Sequence, residues 1–439
     1  MNHYVGFLGR HPDAVSPNLN RLAERSVVFE RAYCQAPICN PSRASLMSGL
    51  WPSTTGVYNN RQPLRFSATG EHCVTLPQAF RANGYEATGS GKVYHGKFPD
   101  PMSWDDYVPG PFQQTHRGPS YEGPLNGMAD MGNVDWGALD IGDREMSDHR
   151  AVDTCLAYLE KEHEQPFFLT CGQTVTHLTW VTPRPHHELF YPASTTLPDV
   201  PDHALDKVSA VGRKWANTDV HRRLRDEGRW ADAVASYLAC IHFADTQMGR
   251  LLDGLAASPH ADNTVIVFWA DHGWHLGEKE HWKKSTLWEE ATRVPCLISA
   301  PGIEPGRCSR PVGLIDLSPT LLELCGLPPR SDLEGQSLLP LLQDPNRSWN
   351  RPALTTHGRG NHAVRSERWR YIRYADGSEE LYDHDADELE WTNLAGEPYL
   401  EAVKDDLATW LPDTNAPHSE VVEWPDGDEA YRRRIESMR

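Results

Sequence analysis

No run of apolar residues in this 439-residue chain approaches the roughly 18 that a helical membrane span needs. The first thirty residues also lack the basic-then-apolar order of a secretory signal, so no membrane is expected as a partner. Positive charge is scarce: 42 Lys and Arg stand against 61 Asp and Glu, a formal net charge of -19. Such a chain repels phosphate backbones, which speaks against nucleic acid as a partner and means that an anionic substrate needs a local basic pocket. Zinc-type Cys-x-x-Cys spacing is missing among the nine cysteines, and their odd number leaves at least one outside any intramolecular disulfide. Long polar tracts and internal repeats are absent as well. What remains is 39% apolar, 23% charged and rich in tryptophan, the composition of a folded globular chain. Its length exceeds what one hydrophobic core usually serves, so a large domain with a smaller companion is expected.

Short apolar runs that read as buried strands, Phe167 to Cys171, Thr264 to Ala270 and Pro295 to Ser299, alternate with helical periodicity. The helical stretches are Asn18 to Glu24, Leu76 to Asn83, Ala233 to Leu255 and Leu317 to Cys325. Strands that are apolar on both faces and spaced by helices predict an α/β fold: a large, mostly parallel sheet covered by helices on both sides. After Asp344 the texture changes. Alternating segments at Ala363 to Arg365, Trp369 to Tyr374 and Glu379 to Tyr382 predict a small antiparallel sheet, followed by a helix from about Tyr399 to Leu411. The expected division is a catalytic domain over 1–347 and an α+β subdomain over 348–439. The Pro- and Gly-rich stretch from Asp100 to Gly142 reads as a long surface excursion.

The most specific pattern is Cys39-Asn40-Pro41-Ser42-Arg43, continued to Ser48-Gly49. A chance match to its four fixed positions in such a chain is on the order of one in a thousand from average residue usage. Asp271-His272-Gly273 ends the second apolar run, the strand terminus beyond which open α/β sheets place their ligands, although the tripeptide alone is an ordinary turn. Trp282-Lys283-Lys284 follows it, Gly91-Lys92-Val93-Tyr94-His95 precedes it, and His177 stands shortly after the first run. Together these segments resemble the sulfatase family, and most closely its iduronate-2-sulfatase-like branch. The likeness runs from about Asn18 to Ala395, including Glu379 to Asp383 and Trp391 to Leu394 near the end.

The resemblance implies a sulfuric ester hydrolase with an alkaline-phosphatase-like fold whose nucleophile is a formylglycine made from Cys39 by a formylglycine-generating maturation enzyme. A thiol or hydroxyl that attacked sulfur would be left sulfated at a crowded anionic centre, whereas an aldehyde hydrate has a second hydroxyl that lets sulfate leave by elimination. By the same resemblance, Arg43 reaches the diol or a sulfate oxygen, and Asp271, His272 and the modified Cys39 ligate calcium. Lys92 and Lys284 hold sulfate, Lys284 also serving the leaving group, with Lys283 as a solvated neighbour. His95 assists sulfate expulsion, and His177 binds sulfate or protonates the leaving oxygen. The substrate implied is a sulfated small molecule or saccharide, with Trp180 and Trp288 as possible ring-stacking surfaces, although either reads first as core or rim packing.

Two departures stand out. Relatives read Pro-His where this chain has Thr176-His177. They also begin with an apolar strand ending in Asp-Asp, both metal ligands, whereas Met1-Asn2-His3-Tyr4 reads like the residues just after it. The resemblance therefore predicts that the sequence starts at an internal methionine of a longer frame carrying that strand and an export signal, giving a periplasmic or secreted protein. Two alternatives stay open: a phosphate or phosphonate monoester hydrolase of the same superfamily, and a non-catalytic protein that binds sulfated glycans.

Overall fold

The computed structural model describes residues 1–109, 121–422, 431, 433–435, 437 and 438. Its central sheet has the strand order Gly306–Gly313, Val27–Tyr33, Arg293–Ser299, Ile266–Trp269; the first pair is parallel and the other two antiparallel. A second sheet, wholly parallel, orders Asp106–Pro109, Glu86–Gly91 and Phe167–Gly172. Side chains along a strand alternate between faces, and the core divides accordingly. Val27, Phe29, Cys296 and Ile298 pack with Leu46, Met47 and Leu317 from the helices Cys39–Ser48 and Leu317–Leu324. Val28 and Leu297 face the other way, against Leu19 and Leu22 of Pro17–Ala23 and the long helix Trp230–Ala257. Helices thus cover both faces, as the apolar runs predict.

The three expected strands and four expected helices all form, with ends shifted by a few residues. Val27–Tyr33 escapes a reading by periodicity because Glu30 and Arg31 interrupt it where its register slips against both neighbours. Glu86–Gly91 escapes it because glycine replaces apolar side chains. Gly91 needs that replacement: its φ is +87°, and a Cβ there would lie 1.9 Å from the Gly172 carbonyl oxygen. In the stretch expected to be a surface excursion, residues 110–120 lie outside the described residues. The remainder is more ordered than expected, with Trp136–Leu139 pairing in parallel with Trp180–Pro183. Asp135 fastens that return by accepting the backbone N–H groups of Leu125, Asn126 and Trp136 at 2.9–3.0 Å.

The two sheets do not join. Among the described residues, the Phe167 strand pairs only with Glu86–Gly91 and the Ile266 strand only with Arg293–Ser299. Both are apolar, yet both are half-exposed along their whole length. They face a slot of about 620 Å³ between them, walled on one side by Leu19 and Leu22 and on the other by Leu46 and Phe80. One end of the slot opens onto Arg43, Lys92, His177, Asp271 and His272.

The C-terminal sheet is antiparallel in the order Ala353–Thr356, His362–Arg365, Trp369–Arg373, Glu379–Asp383, and the helix Glu401–Ala408 packs on it through Leu407, with Leu400 just ahead of the helix. A buried ion network docks this sheet. Arg365 and Arg370 both reach the carboxylate of Glu289, which also accepts the Tyr33 hydroxyl, and Arg370 continues to Glu390. Burial alone would raise the Glu289 carboxyl, but Arg365 and Arg370 outweigh it and hold the group well below the usual carboxylate range. Removing one partner of such a network strands buried charge, so Glu289→Ala is expected to cost about 3–5 kcal/mol. Urea denaturation measures this, and an unchanged midpoint would show that the network does not hold the sheet in place.

Candidate active site

Cys39 is the first residue of the helix Cys39–Ser48, which is buried along its whole length. Pro41 fits the first turn, where a missing N–H leaves no helical bond unmade. Asn40 latches this turn to the loop that follows the helix, donating from Nδ2 to the carbonyls of Asn59 at 3.0 Å and Gln62 at 2.6 Å. Ser42 Oγ donates to the Asp271 carbonyl at 2.5 Å, which ties the helix start to the end of the Ile266 strand.

Three groups converge on the Cys39 sulfur: Lys284 Nζ at 2.9 Å, His272 Nε2 at 3.3 Å and Lys92 Nζ at 3.8 Å. Lys92 arrives from the end of Glu86–Gly91, one residue beyond the tight glycine contact. Lys284 is aimed inward by its neighbours, since Lys283 (φ 85°) and Ser285 (φ 77°) both adopt left-handed backbone. Lys283 consequently points away, to Asn133 Oδ1 at 3.0 Å, leaving Lys284 as the lysine of the site. His281 supports it by donating from Nε2 to the Lys284 carbonyl at 3.0 Å.

His177 Nε2 accepts from Lys284 Nζ at 3.2 Å, and its Nδ1 donates to the Leu178 carbonyl at 2.8 Å. Proline is not needed to rigidify this loop. Asp148 does so instead, accepting the N–H groups of Thr174 at 3.0 Å and Val175 at 2.8 Å. The charge pattern matches the crowding. Burial opposes ionisation of the Cys39 thiol, but Lys284, Lys92 and His272 outweigh it and hold the thiol well below its ordinary range. Burial, with Lys284 and Lys92 beside it, pushes His177 down to about 4. His95 is pushed down to about 3, again by burial first; its charged neighbours are Cys39, Lys92, Lys284 and Arg43. The positive charge of the site thus sits on its lysines, while burial holds His95 and His177 in the neutral form.

A family model described as Sulfatase matches residues 1–327, and one described as N-sulphoglucosamine sulphohydrolase, C-terminal, matches residues 277–416. A protein described as a sulfatase from Formosa agariphila is 35% identical over 95% of this chain and 85% of its own length. The chain belongs to the sulfatase family. Iduronate 2-sulfatase of Homo sapiens is 30% identical over 72% of this sulfatase and 66% of its own length. Among solved structures, a phosphonate monoester hydrolase from Silicibacter pomeroyi superposes with a TM-score of 0.75 at 23% identity, covering 90% of this chain and 89% of that one, a likeness of fold. The sulfatase is therefore a sulfuric ester hydrolase on the alkaline-phosphatase-like α/β scaffold.

Arg43 donates from Nε to Asp271 Oδ2 at 2.8 Å and from Nη1 to the carbonyls of Lys92 and Val93. It pins two site-bearing segments together. Trp180 and Trp288 cannot stack on a sugar, because both are fully buried and their indole N–H groups bond to the Thr176 carbonyl and to Glu380. Trp274 is likewise buried, and Lys284 Nζ lies 5.5 Å from its ring centroid. Asp148 gave no signal in the sequence, since it lies 29 residues before His177 in an unremarkable helix start.

A metal ion is implied by the family. Cys39, Asp271 and His272 place one donor atom each within 4.8 Å of one another. Burial works against the ionised form of Asp271, but Arg43 and His272 outweigh it and keep the carboxyl below its usual range. Calcium takes six to eight oxygen ligands, and this trio offers one carboxylate, one imidazole and one sulfur. Taken alone it does not fit calcium. A second buried acid–histidine group, Glu289, His384 and Glu390, is already neutralised by Arg365 and Arg370.

Proposed function

We propose that this sulfatase hydrolyses sulfate esters of a sulfated saccharide after a formylglycine-generating enzyme has converted Cys39. The observation that carries this reading is the convergence of Lys284, Lys92 and His272 on the Cys39 side chain, a cationic pocket inside a chain of net charge -19. Such a pocket concentrates an anion that the rest of the surface repels. Likeness to iduronate 2-sulfatase supports a sulfated uronic acid or related sugar as the substrate class.

When converted, residue 39 supplies an aldehyde hydrate, with one hydroxyl to attack sulfur and a second to permit sulfate release. The remaining roles fall to residues already placed. Lys92 and Lys284 meet sulfate oxygens, and the Lys284–His177 pair, 3.2 Å apart, stands ready to protonate the departing oxygen. His95 takes the hydrate proton, and Arg43 positions Asp271 and Lys92. Conversion also exchanges sulfur for oxygen at residue 39, which moves the donor set toward calcium, our proposed ion. Asp271, His272 and the converted residue 39 would hold the ion, and sulfate oxygens could complete its shell.

Lys284→Ala is expected to lower kcat by about 10²- to 10³-fold, the usual effect of removing one electrostatic group that meets transition-state charge. A change confined to KM would make Lys284 a binder of the ground state only. Sulfate release from an aryl sulfate, measured beside phosphate release from the matched aryl phosphate, tests the reaction class. Preference for the phosphate would favour the phosphomonoesterase reading.

A further inference from the structure

The mismatch with calcium points to a different ion for the unconverted chain. We infer that, while residue 39 is still cysteine, Cys39 Sγ, His272 Nε2 and a carboxylate oxygen of Asp271 form a site for zinc or a similar borderline divalent cation. The inference shares residues with the proposed function but needs neither conversion nor turnover.

Three observations carry it. The first is spacing: Cys39 Sγ lies 3.3 Å from His272 Nε2, and His272 Nε2 lies 3.7 Å from Asp271 Oδ2. Tetrahedral zinc holds sulfur at about 2.3 Å and nitrogen or oxygen at about 2.0–2.2 Å, which sets neighbouring donors roughly 3.2–3.6 Å apart. The second is the histidine tautomer. His272 Nδ1 lies 2.8 Å from the Gly273 carbonyl oxygen, which can only accept, so Nδ1 carries the proton and Nε2 turns its lone pair toward the sulfur. Metal-binding histidines are fixed in this way by a backbone carbonyl at the other ring nitrogen. The third is that the ligands are held in place: Arg43 Nε at 2.8 Å locates the Asp271 carboxylate, Ser42 Oγ holds the Asp271 carbonyl, and all three ligand residues are buried.

A sulfur, nitrogen and oxygen set suits zinc and disfavours calcium. The fourth position is left for water. Lys284 opposes uptake, since its ammonium lies 2.9 Å from the sulfur. In the same pose the ammonium also contacts His177 Nε2 at 3.2 Å and lies over the Trp274 ring, and these contacts remain to hold it when zinc takes the sulfur. Any thiol proton leaves to solvent on binding, with no oxidant required. Zinc on the sulfur makes the thiol unavailable, so the metal content of a preparation reports its unconverted fraction.

The test uses the full chain produced without a formylglycine-generating enzyme, stripped by chelator and titrated with Co²⁺ as a coloured probe for zinc. The expected result is one Co²⁺ per chain with a thiolate-to-cobalt charge-transfer band, erased by added Zn²⁺ and untouched by excess Ca²⁺. Cys39→Ser should lose the band, and Lys284→Met should bind at least about tenfold more tightly, because the competing cation is gone. Absence of a thiolate band in the parent chain overturns the inference whatever the variants do, as does a band that survives Cys39→Ser. Sulfate release by converted protein is measured separately, so failure here leaves the proposed reaction standing and failure there leaves this site standing.

Discussion

Cys39→Ala is expected to abolish sulfate release, by about 10⁴-fold or more, while leaving the protein folded. The magnitude follows from the nucleophile's place in the reaction: when it is lost, the surrounding charges can bind and polarise but have nothing to deliver to sulfur. Preservation of the fold follows from position. Cys39 opens its helix, and the start of that helix is held by Asn40 and Ser42 through their own hydrogen bonds, none of which uses the sulfur. Truncation to alanine removes one atom from a site that polar groups surround, so no large apolar cavity forms. Turnover of an aryl sulfate and the urea midpoint, measured on the same preparation, check both halves. Release near the parent rate would remove Cys39 from the chemistry, and a collapsed midpoint would make it structural.

The next largest effect is expected from filling the slot. Among the described residues the Phe167 and Ile266 strands each leave one edge unpaired toward it, and each backbone hydrogen bond made there contributes about 0.5–1.5 kcal/mol. Free apolar edges of this kind are templates for another strand. The strand ends at Gly91, Gly172 and Trp269 all lead directly into site residues, so a strand lying parallel between them would also end at the site. The main-chain nitrogen of Met1 lies at that end, 3.4 Å from the His272 carbonyl oxygen. Placing an apolar segment of about six residues, ending in two aspartates, ahead of Met1 should stabilise the protein by several kcal/mol. It should also tighten calcium binding by about 10²-fold or more, because hard carboxylate ligands set calcium affinity. Isothermal titration with Ca²⁺ and urea denaturation read the two effects. If hydrogen exchange shows the added segment unprotected and calcium binding unchanged, the slot does not seat a strand.

Much of this could be read from residues, and the failures have physical causes. Buried strands announced themselves where apolar side chains covered both faces, as in Arg293–Ser299. They were silent where glycine let backbones approach, as in Glu86–Gly91, or where charges broke the run, as in Val27–Tyr33. Cys39, Lys92, His177, Asp271, His272 and Lys284 meet because each follows or begins a regular element whose end faces the same place; the end before Asp271 is visible as an apolar run, whereas the strand before Lys92 is not. Supporting groups are not. Asp148 and His281 act through backbone atoms, whose positions depend on how the chain returns on itself. The same limit hides the bonds that Arg43 makes to Asp271 and to the carbonyls after Gly91, which its spacing from Cys39 does not announce.

The central claim is that an aldehyde at residue 39 does the work on sulfate. One measurement addresses it directly: protein with the slot filled and calcium supplied is made with graded amounts of a formylglycine-generating enzyme. The aldehyde fraction of the Cys39 peptide is read by mass spectrometry against the rate of sulfate release from an aryl sulfate. The account predicts a rate proportional to that fraction, with an intercept near zero for all-thiol protein. Equal rates from all-thiol and converted preparations would contradict it.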